Sequence, residues 1–161
     1  METMESCIAG GADINHQSQV KDKLKHGRMA ATDIAAAYRH QQALEVLVKH
    51  GADINLTMSF RCTALHLACK NGHPELVQDL IKSGKVFLDA IDLAGQTALI
   101  EATEAIQLIL LEAGADPNTP GYKFNTALHY ASYSGFVKVV WKLVECNATI
   151  DVCNNSEQTT L

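Results

Sequence analysis

Proline is scarce in this chain, tryptophan occurs once and long apolar runs are missing. Three prolines in 161 residues leave no Pro-rich linker, and no Gly/Ser-rich stretch divides the chain. One domain, or one continuous stack of small units, is expected. No run of about 18 apolar residues occurs, so no membrane-inserted helix is expected. The start METMESCIAGG has no basic segment followed by an apolar core, and no signal peptide is expected. A basic surplus is also missing. Thirteen Lys and Arg face eighteen Asp and Glu, a formal charge of −5, which argues against a nucleic-acid partner. The local exception is VKDKLKHGR, residues 20–28, with four cations and one carboxylate.

The phosphate-cradling patterns GxGxxG and GxxxxGK[ST] do not occur, and neither does CxxC. The five cysteines, Cys7, Cys62, Cys69, Cys146 and Cys153, are odd in number and carry no zinc-like spacing. They point to free thiols in a reducing compartment, cytoplasmic and/or nuclear. In that setting the glycosylation triplets at Asn55, Asn147 and Asn154 have no consequence.

What the chain does have is an echo. TALHLACKNGHPELVQDLIKSG, residues 63–84, returns as TALHYASYSGFVKVVWKLVECN, residues 126–147. Thr63, Thr97, Thr126 and Thr159 each open TAL or TTL, at spacings of 34, 29 and 33 residues. A second marker keeps step: GADIN at 11–15 and 51–55, GADPN at 114–118. A fixed period of this size is the signature of a stacked repeat.

Each copy has a physical reading. Thr63 is placed to cap a short helix, and Asn71-Gly72 breaks it. His73 to Ser83 then sets Leu76, Val77, Leu80 and Ile81 on one helical face, and Gly84 suits a left-handed helix end. DAIDLAGQ, residues 89–96, carries the Asp/Gly punctuation of a tight turn. One unit is thus helix, turn, antiparallel helix and projecting loop. Two such helices cannot bury their apolar faces alone, so copies must stack.

These motifs, T-A-L-H-x-A, the N-G-H or S-G-F turn, L-V-x-x-L-I and G-A-D-I-N, resemble the ankyrin repeat over nearly the whole chain. The resemblance implies an all-α solenoid of helix-turn-helix units with projecting β-turn or hairpin loops, one domain over 1–161. A partial unit, an outer helix and GADIN tail with an extended loop, covers 1–29. Units follow at 30–62, 63–96, 97–125 and 126–158, with a stub at 159–161. The first loop carries about seven extra residues, the basic run among them. The unit from Thr97 lacks the counterpart of Cys69 to Gly72, so its helix pair should be tightened or shifted and the stack locally kinked. AATDIA at 30–35 replaces TALHLA, so hydrogen bonding at that helix start must differ. The two ends lack polar caps. Either the segment belongs to a longer chain, or a partner or second copy covers them.

The histidines and carboxylates follow the repeat period rather than forming one constellation. His66 and His129 share a motif position, for which the resemblance implies a structural hydrogen bond near the helix start and to the neighbouring loop. Asp13, Asp53, Asp116 and Asp151 read as turn formers. No catalytic residues, metal ligands or cofactor are expected.

The resemblance implies a loop tip of the form N-A-x-D-x-x-G-x-T, which DAIDLAGQT (89–97) fits. NLTMSFRCT (55–63), NTPGYKFNT (118–126) and DVCNNSEQT (151–159) place Arg61, Phe124 and Glu157 where glycine would permit positive φ. These loops must bend differently or accept strain. The tips carry Leu56, Met58, Phe60, Ile91, Leu93, Tyr122 and Phe124. Either these pack loop on loop, or they form a contact strip for a partner with Arg61 and Lys123 as its charged rim. The ankyrin-like register places Tyr38, Lys70, Asn71, Tyr133 and Ser134 on the groove side of the first helices. Trp141 falls at the register of Gln78 and Leu108, expected on the convex side, either packed on the adjacent outer helix or forming a second contact surface.

The function expected is a non-catalytic module that binds a protein or peptide through groove and loop tips, monomeric as an isolated domain. Two alternatives stand beside it: a structural spacer or self-association segment, and a substrate-recruiting part of an enzyme complex such as a ubiquitin ligase. Asn55, with Leu47, Asp53 and Ile54, looks like an ankyrin-type context for an asparaginyl hydroxylase. It is otherwise a plain loop asparagine.

Overall fold

The computed structural model describes residues 10–19, 28–57 and 60–160. The helix expected within residues 1–9, Cys7, the basic run over 20–27, Met58 and Leu161 lie outside them. Among the described residues eight α-helices run as four pairs. α1 (Ala31–Ala37) and α2 (Gln41–Lys49) are followed by α3 (Ala64–Lys70) and α4 (Pro74–Lys82). α5 (Ala98–Glu101) and α6 (Glu104–Glu112) come next, then α7 (Ala127–Ser134) and α8 (Val137–Glu145). The inner helices stack in the order α1, α3, α5, α7 and the outer ones in the order α2, α4, α6, α8. This is the expected all-α solenoid. The extended first loop closes as a short antiparallel ladder of β1 (Ser18–Gln19) and β2 (Arg28–Met29).

Burial follows the apolar stripes. Leu65 and Leu67 on α3, Leu76 and Leu80 on α4, Ile106 and Leu110 on α6, and Leu128 and Leu143 at the next pair are all sealed from solvent. They form one continuous core with alanines at the close contacts between inner helices, including Ala36, Ala68 and Ala131. The turn within a pair needs left-handed backbone, which Gly72 and Gly135 supply and which Arg39 adopts at the same register. At the far end of the outer helix Asn147 takes the left-handed position held by Gly51 and Gly114. The Ala148 N–H then closes onto Leu143 O at 2.9 Å, so the C-terminal carbonyls find donors.

Two side-chain devices lock one unit to the next. The Thr63 backbone N–H donates to His66 Nδ1 at 3.3 Å, and Thr63 Oγ1 lies 2.9 Å from the same nitrogen. His66 Nε2 reaches Gln96 O in the following loop at 3.2 Å. A carbonyl only accepts, so Nε2 carries the proton and Nδ1 is the acceptor. Thr126, His129 and Gln158 O repeat the arrangement at 3.2, 3.0 and 3.2 Å. The second device is a ladder of loop amides and acids. Asn15 Oδ1 accepts from Asp53 N, Asn55 Oδ1 from Phe87 N, Asp89 Oδ1 from Asp116 N and Asn118 Oδ1 from Thr149 N, all between 2.8 and 2.9 Å. Asp13, Asp53 and Asp116 act as turn formers, each accepting from the backbone two residues on.

The departures from the repeat each have a local solution. The deletion in the unit from Thr97 is absorbed by the inner helix. α5 is a single turn of four residues, and Ala102 is extended before α6 begins. Gln107 Nε2, itself buried, caps the shortened helix by donating to Leu99 O at 3.0 Å. At the start of α1 the missing Thr/His pair is replaced by Asp33, whose Oδ2 accepts from Ala30 N at 2.9 Å. Asp33 is sealed from solvent and its Oδ1 has no partner among the described residues. Burial disfavours the carboxylate and raises its pKa from the ordinary 3.8 to about 6, with the Ala30 N–H pulling weakly the other way.

The sign of this shift sets a prediction. A raised folded pKa means that the folded state binds the proton more tightly. The associated stability is complete below pH 3.8 and is lost as pH rises through about 6. Asp33→Asn keeps an acceptor for Ala30 and removes the titration. Comparing chemical unfolding at about pH 4 and about pH 7.5, the variant should gain about 1–3 kcal/mol on the parent protein. An unchanged difference between the two would contradict burial of a titrating Asp33.

Candidate functional site

The third, fourth and fifth loop tips share one backbone solution despite their different residues. In the third loop Asp92 N donates to Gln96 O at 2.9 Å and Asp92 Oδ1 accepts from Gln96 N at 2.8 Å, with a bridge between Ile91 and Thr97. Asn154 does the same for Gln158 in the fifth loop, at 3.0 Å for each bond. The fourth loop has Gly121 at this position, and its N–H donates to Asn125 O at 2.8 Å. A β-carbon there would collide with Gln96 Oε1 and Ile100 Cδ1, so the loop approaches its neighbour more closely than any other residue permits.

Where Gly95 takes φ +76°, Arg61, Phe124 and Glu157 take +57°, +61° and +59°. All three loops keep the left-handed turn with a non-glycine side chain in it, so strain is realised, and the fourth loop also bends differently from the third, since Ala94 at the register of Lys123 is not left-handed. Lys123 is left-handed as well, at +56°.

Adjacent tips are tied backbone to backbone. Leu93 N donates to Phe60 O at 2.7 Å and Asn155 N to Lys123 O at 3.0 Å. The side chains of these residues point elsewhere. Phe60, Ile91, Leu93, Tyr122 and Phe124 are 44, 41, 64, 58 and 59% exposed. Loop-on-loop bonding is thus carried by the main chain, while the apolar groups stay accessible. Leu56 differs and is half-buried. Arg61 is exposed, and Lys123 Nζ lies 5.4 Å from the centre of the Tyr122 ring, within cation–π range. Neither cation has an ion-pair partner among the described residues. Met58 lies outside those residues.

The groove side of the inner helices carries the other candidates. Tyr38 is 40% exposed and stacks on His40 at 6.3 Å, and Tyr133 is 94% exposed. Ser134 is exposed. Lys70 Nζ bonds Glu101 Oε1 on the next inner helix at 3.2 Å, which raises its pKa. Asn71 Nδ2 caps its own helix at Leu67 O, at 2.8 Å. Beside this ion pair Cys62 lies 3.9 Å from Asp92 Oδ2. Burial, reinforced by the charges of Asp92 and Glu101, pushes its thiol up to about 11, so it stays a thiol rather than a reactive thiolate. A depression of about 340 Å3 between α7 and the fifth loop is lined by His129, Tyr130, Tyr133 and Asn154 among others.

Asn55 is engaged at both ends of its amide, accepting from Phe87 N and donating from Nδ2 to Lys85 O at 2.7 Å. Trp141 is 67% exposed and is not packed on the adjacent outer helix. It sits on the edge of α8 that matches Glu45 of α2, a residue lining the seam between α2 and α4. Glu45 and Gln78, at the same register, are exposed although α2 and α4 have outer-helix neighbours, in line with the convex placement expected from the sequence. Gly121, Asn154 and the exposed Phe87 (66%) were not singled out from sequence. Only a loop-by-loop register, with Gly121 and Asn154 set beneath Asp92, exposes the first two.

Among the described residues no helix is long and apolar enough to cross a membrane, and no three His, Cys, Asp or Glu gather as metal ligands. Comparison with known proteins adds identity to this geometry. A model of ankyrin repeats in three copies matches residues 2–88 and 32–121, and one of many copies matches residues 101–144. The B-cell lymphoma 3 protein homolog of Mus musculus is 32% identical over 147 residues, covering 85% of this chain and 32% of that protein. The neurogenic locus notch homolog protein 1 of Danio rerio is 30% identical over 152 residues, covering 92% of this chain and 6% of its own. The putative ankyrin repeat protein YahD of Escherichia coli is 26% identical over 154 residues, 73% of its length. The chain thus spans a third or less of the first two relatives. Ankyrin repeats are generally protein-interaction modules. With matches running along most of its length and a solenoid of stacked helix pairs, the chain belongs to the ankyrin repeat family.

Proposed function

We propose that this chain is a non-catalytic binding module that holds a protein or peptide partner across its loop tips and the groove beside them. The observation that carries this reading is strain kept at exposed positions. Arg61, Lys123 and Phe124 occupy left-handed backbone, at about 1–2 kcal/mol each for a side chain with a β-carbon. Gly95 shows the relaxed alternative at the register of Arg61 and Phe124. Folding gains little from a bulky, solvent-facing group on strained backbone, whereas a partner gains an aromatic anchor and a charged rim.

The strip runs Phe60–Arg61, Leu93, Tyr122–Lys123–Phe124, with Ile91 and the half-buried Leu56 at its base. Tyr38 and Tyr133 extend it into the groove, and Lys70 and Asn71 border it. Lys70 enters such a contact already bonded to Glu101, so it contributes shape more than free charge. A formal charge of −5 favours a protein over a nucleic-acid partner. The free thiols of Cys62, Cys69, Cys146 and Cys153 suit a cytoplasmic or nuclear setting. No cofactor enters this activity.

Three measurements test the reading. Phe60→Ala with Tyr122→Ala should abolish capture of the partners that the parent protein cross-links in a pull-down, with thermal unfolding nearly unchanged. Normal capture by the double variant would exclude the tips. Phe124→Gly should separate function from folding, raising stability in chemical unfolding by about 1 kcal/mol while weakening partner binding. A destabilised variant would refute the strain argument. For Asn55, co-expression with an asparaginyl hydroxylase should add one oxygen atom in intact mass. An unchanged mass would leave the residue its ladder role alone.

A further inference from the structure

The tips of the second, third and fourth loops, 56–61, 91–96 and 119–125, lie inside the described stack, with a helix pair on either side of each. Their exposure owes nothing to an open end. They carry a charge pattern unlike that of the chain as a whole. The protein has a formal charge of −5, yet these tips hold two exposed cations, Arg61 and Lys123, and no exposed carboxylate. Their single acid, Asp92, is buried and spent on the Gln96 N–H. Phe60, Leu93, Tyr122 and Phe124 stand exposed beside and between the two cations.

The main chain joins these groups into one row. Leu93 N donates to Phe60 O at 2.7 Å and links the second tip to the third. Gly95 faces the Tyr122 backbone N, 4.0 Å from where a β-carbon would stand, and links the third to the fourth. The row ends at the fifth tip, which Asn155 N ties to Lys123 O. There Glu157 takes the left-handed position of Arg61 and Phe124, and no large apolar side chain is exposed over 151–158.

We propose that the segment held on this row is an acidic, extended peptide. Its apolar side chains meet Phe60, Leu93 and Tyr122, and its carboxylates meet Arg61 and Lys123. The inference rests on the tip reading of the function and adds the chemistry of the occupant. A basic segment would set like charges against both cations, with no tip carboxylate to offset them, and a neutral one would bury two charges without partners. The spacing follows from the stack. Packed helices lie about 10 Å apart, so Arg61 and Lys123, two units apart, are separated by about 20 Å. An extended chain covers that distance in about six residues.

Selection by the whole chain from a displayed library of random peptides of about twelve residues, long enough to span the row, tests it. Enriched sequences should carry Asp or Glu at two places about six residues apart, with aliphatic or aromatic residues between them. Synthetic copies should bind more weakly as salt rises. Arg61→Gly with Lys123→Gly removes both charges and relieves the left-handed backbone. This pair should fold at least as stably as the parent and bind an enriched peptide about tenfold more weakly. Asp tolerates left-handed backbone, so Arg61→Asp with Lys123→Asp should turn the selection toward basic peptides. Enrichment of neutral or basic sequences by the parent protein would overturn the proposal, as would equal affinity of the glycine pair. So would a single-stranded oligonucleotide that binds the row more tightly than any enriched peptide. If Phe60→Ala with Tyr122→Ala still abolished binding in those cases, the tip reading would stand and its acidic occupant alone would fall. No enrichment at all, or enriched peptides that bind this double variant normally, would sink both.

Discussion

A helix of four to nine residues buries its leucines here against its partner in the pair and against the helices of the pairs beside it. That shared seam is the constraint on which the structure depends. Helices this short are marginal alone, and their apolar faces look sideways along the stack rather than into a common centre. Leu76 and Leu80 are sealed because α2 and α6 flank α4. Polar locks then set the register of the seam. His66 carries the start of one helix to the next loop, and Asn55 and Asn118 grip the backbone of the loop after them. The locks repeat because the seam repeats.

Once the seam is satisfied, little of the loop sequence is needed for folding. The tips are joined by main-chain bonds, from Leu93 to Phe60 and from Asn155 to Lys123, which any side chain would permit. Phe60, Tyr122 and Phe124 are thus available for recognition, and Phe124 occupies its place at a cost in backbone strain.

The stacked fold was legible because Thr63, His66, Gly84 and Asn55 recur with their partners at fixed offsets. Each stands for a hydrogen bond that the next unit must complete. The response to the deletion after Thr97 was less legible. Shortening the inner helix and bending the stack satisfy the same missing residues, and the choice of a one-turn α5 depends on Gln107 reaching Leu99. The left-handed turn at Arg61 and Phe124 was visible only as a pair of alternatives, since the strain is local and the compensating bonds lie in neighbouring loops. At the tips, the sequence placed the apolar groups, and only the geometry separated exposed Phe60 from half-buried Leu56.

Native-state amide hydrogen exchange, measured residue by residue on dilute protein, tests the seam account most directly. Protection should be graded, highest in α3 to α6, which have helix pairs on both sides, and lower in α7 and α8. Protection in α8 equal to that in α4, with no neighbour present to cover it, would show that each pair is stable on its own and would contradict the account.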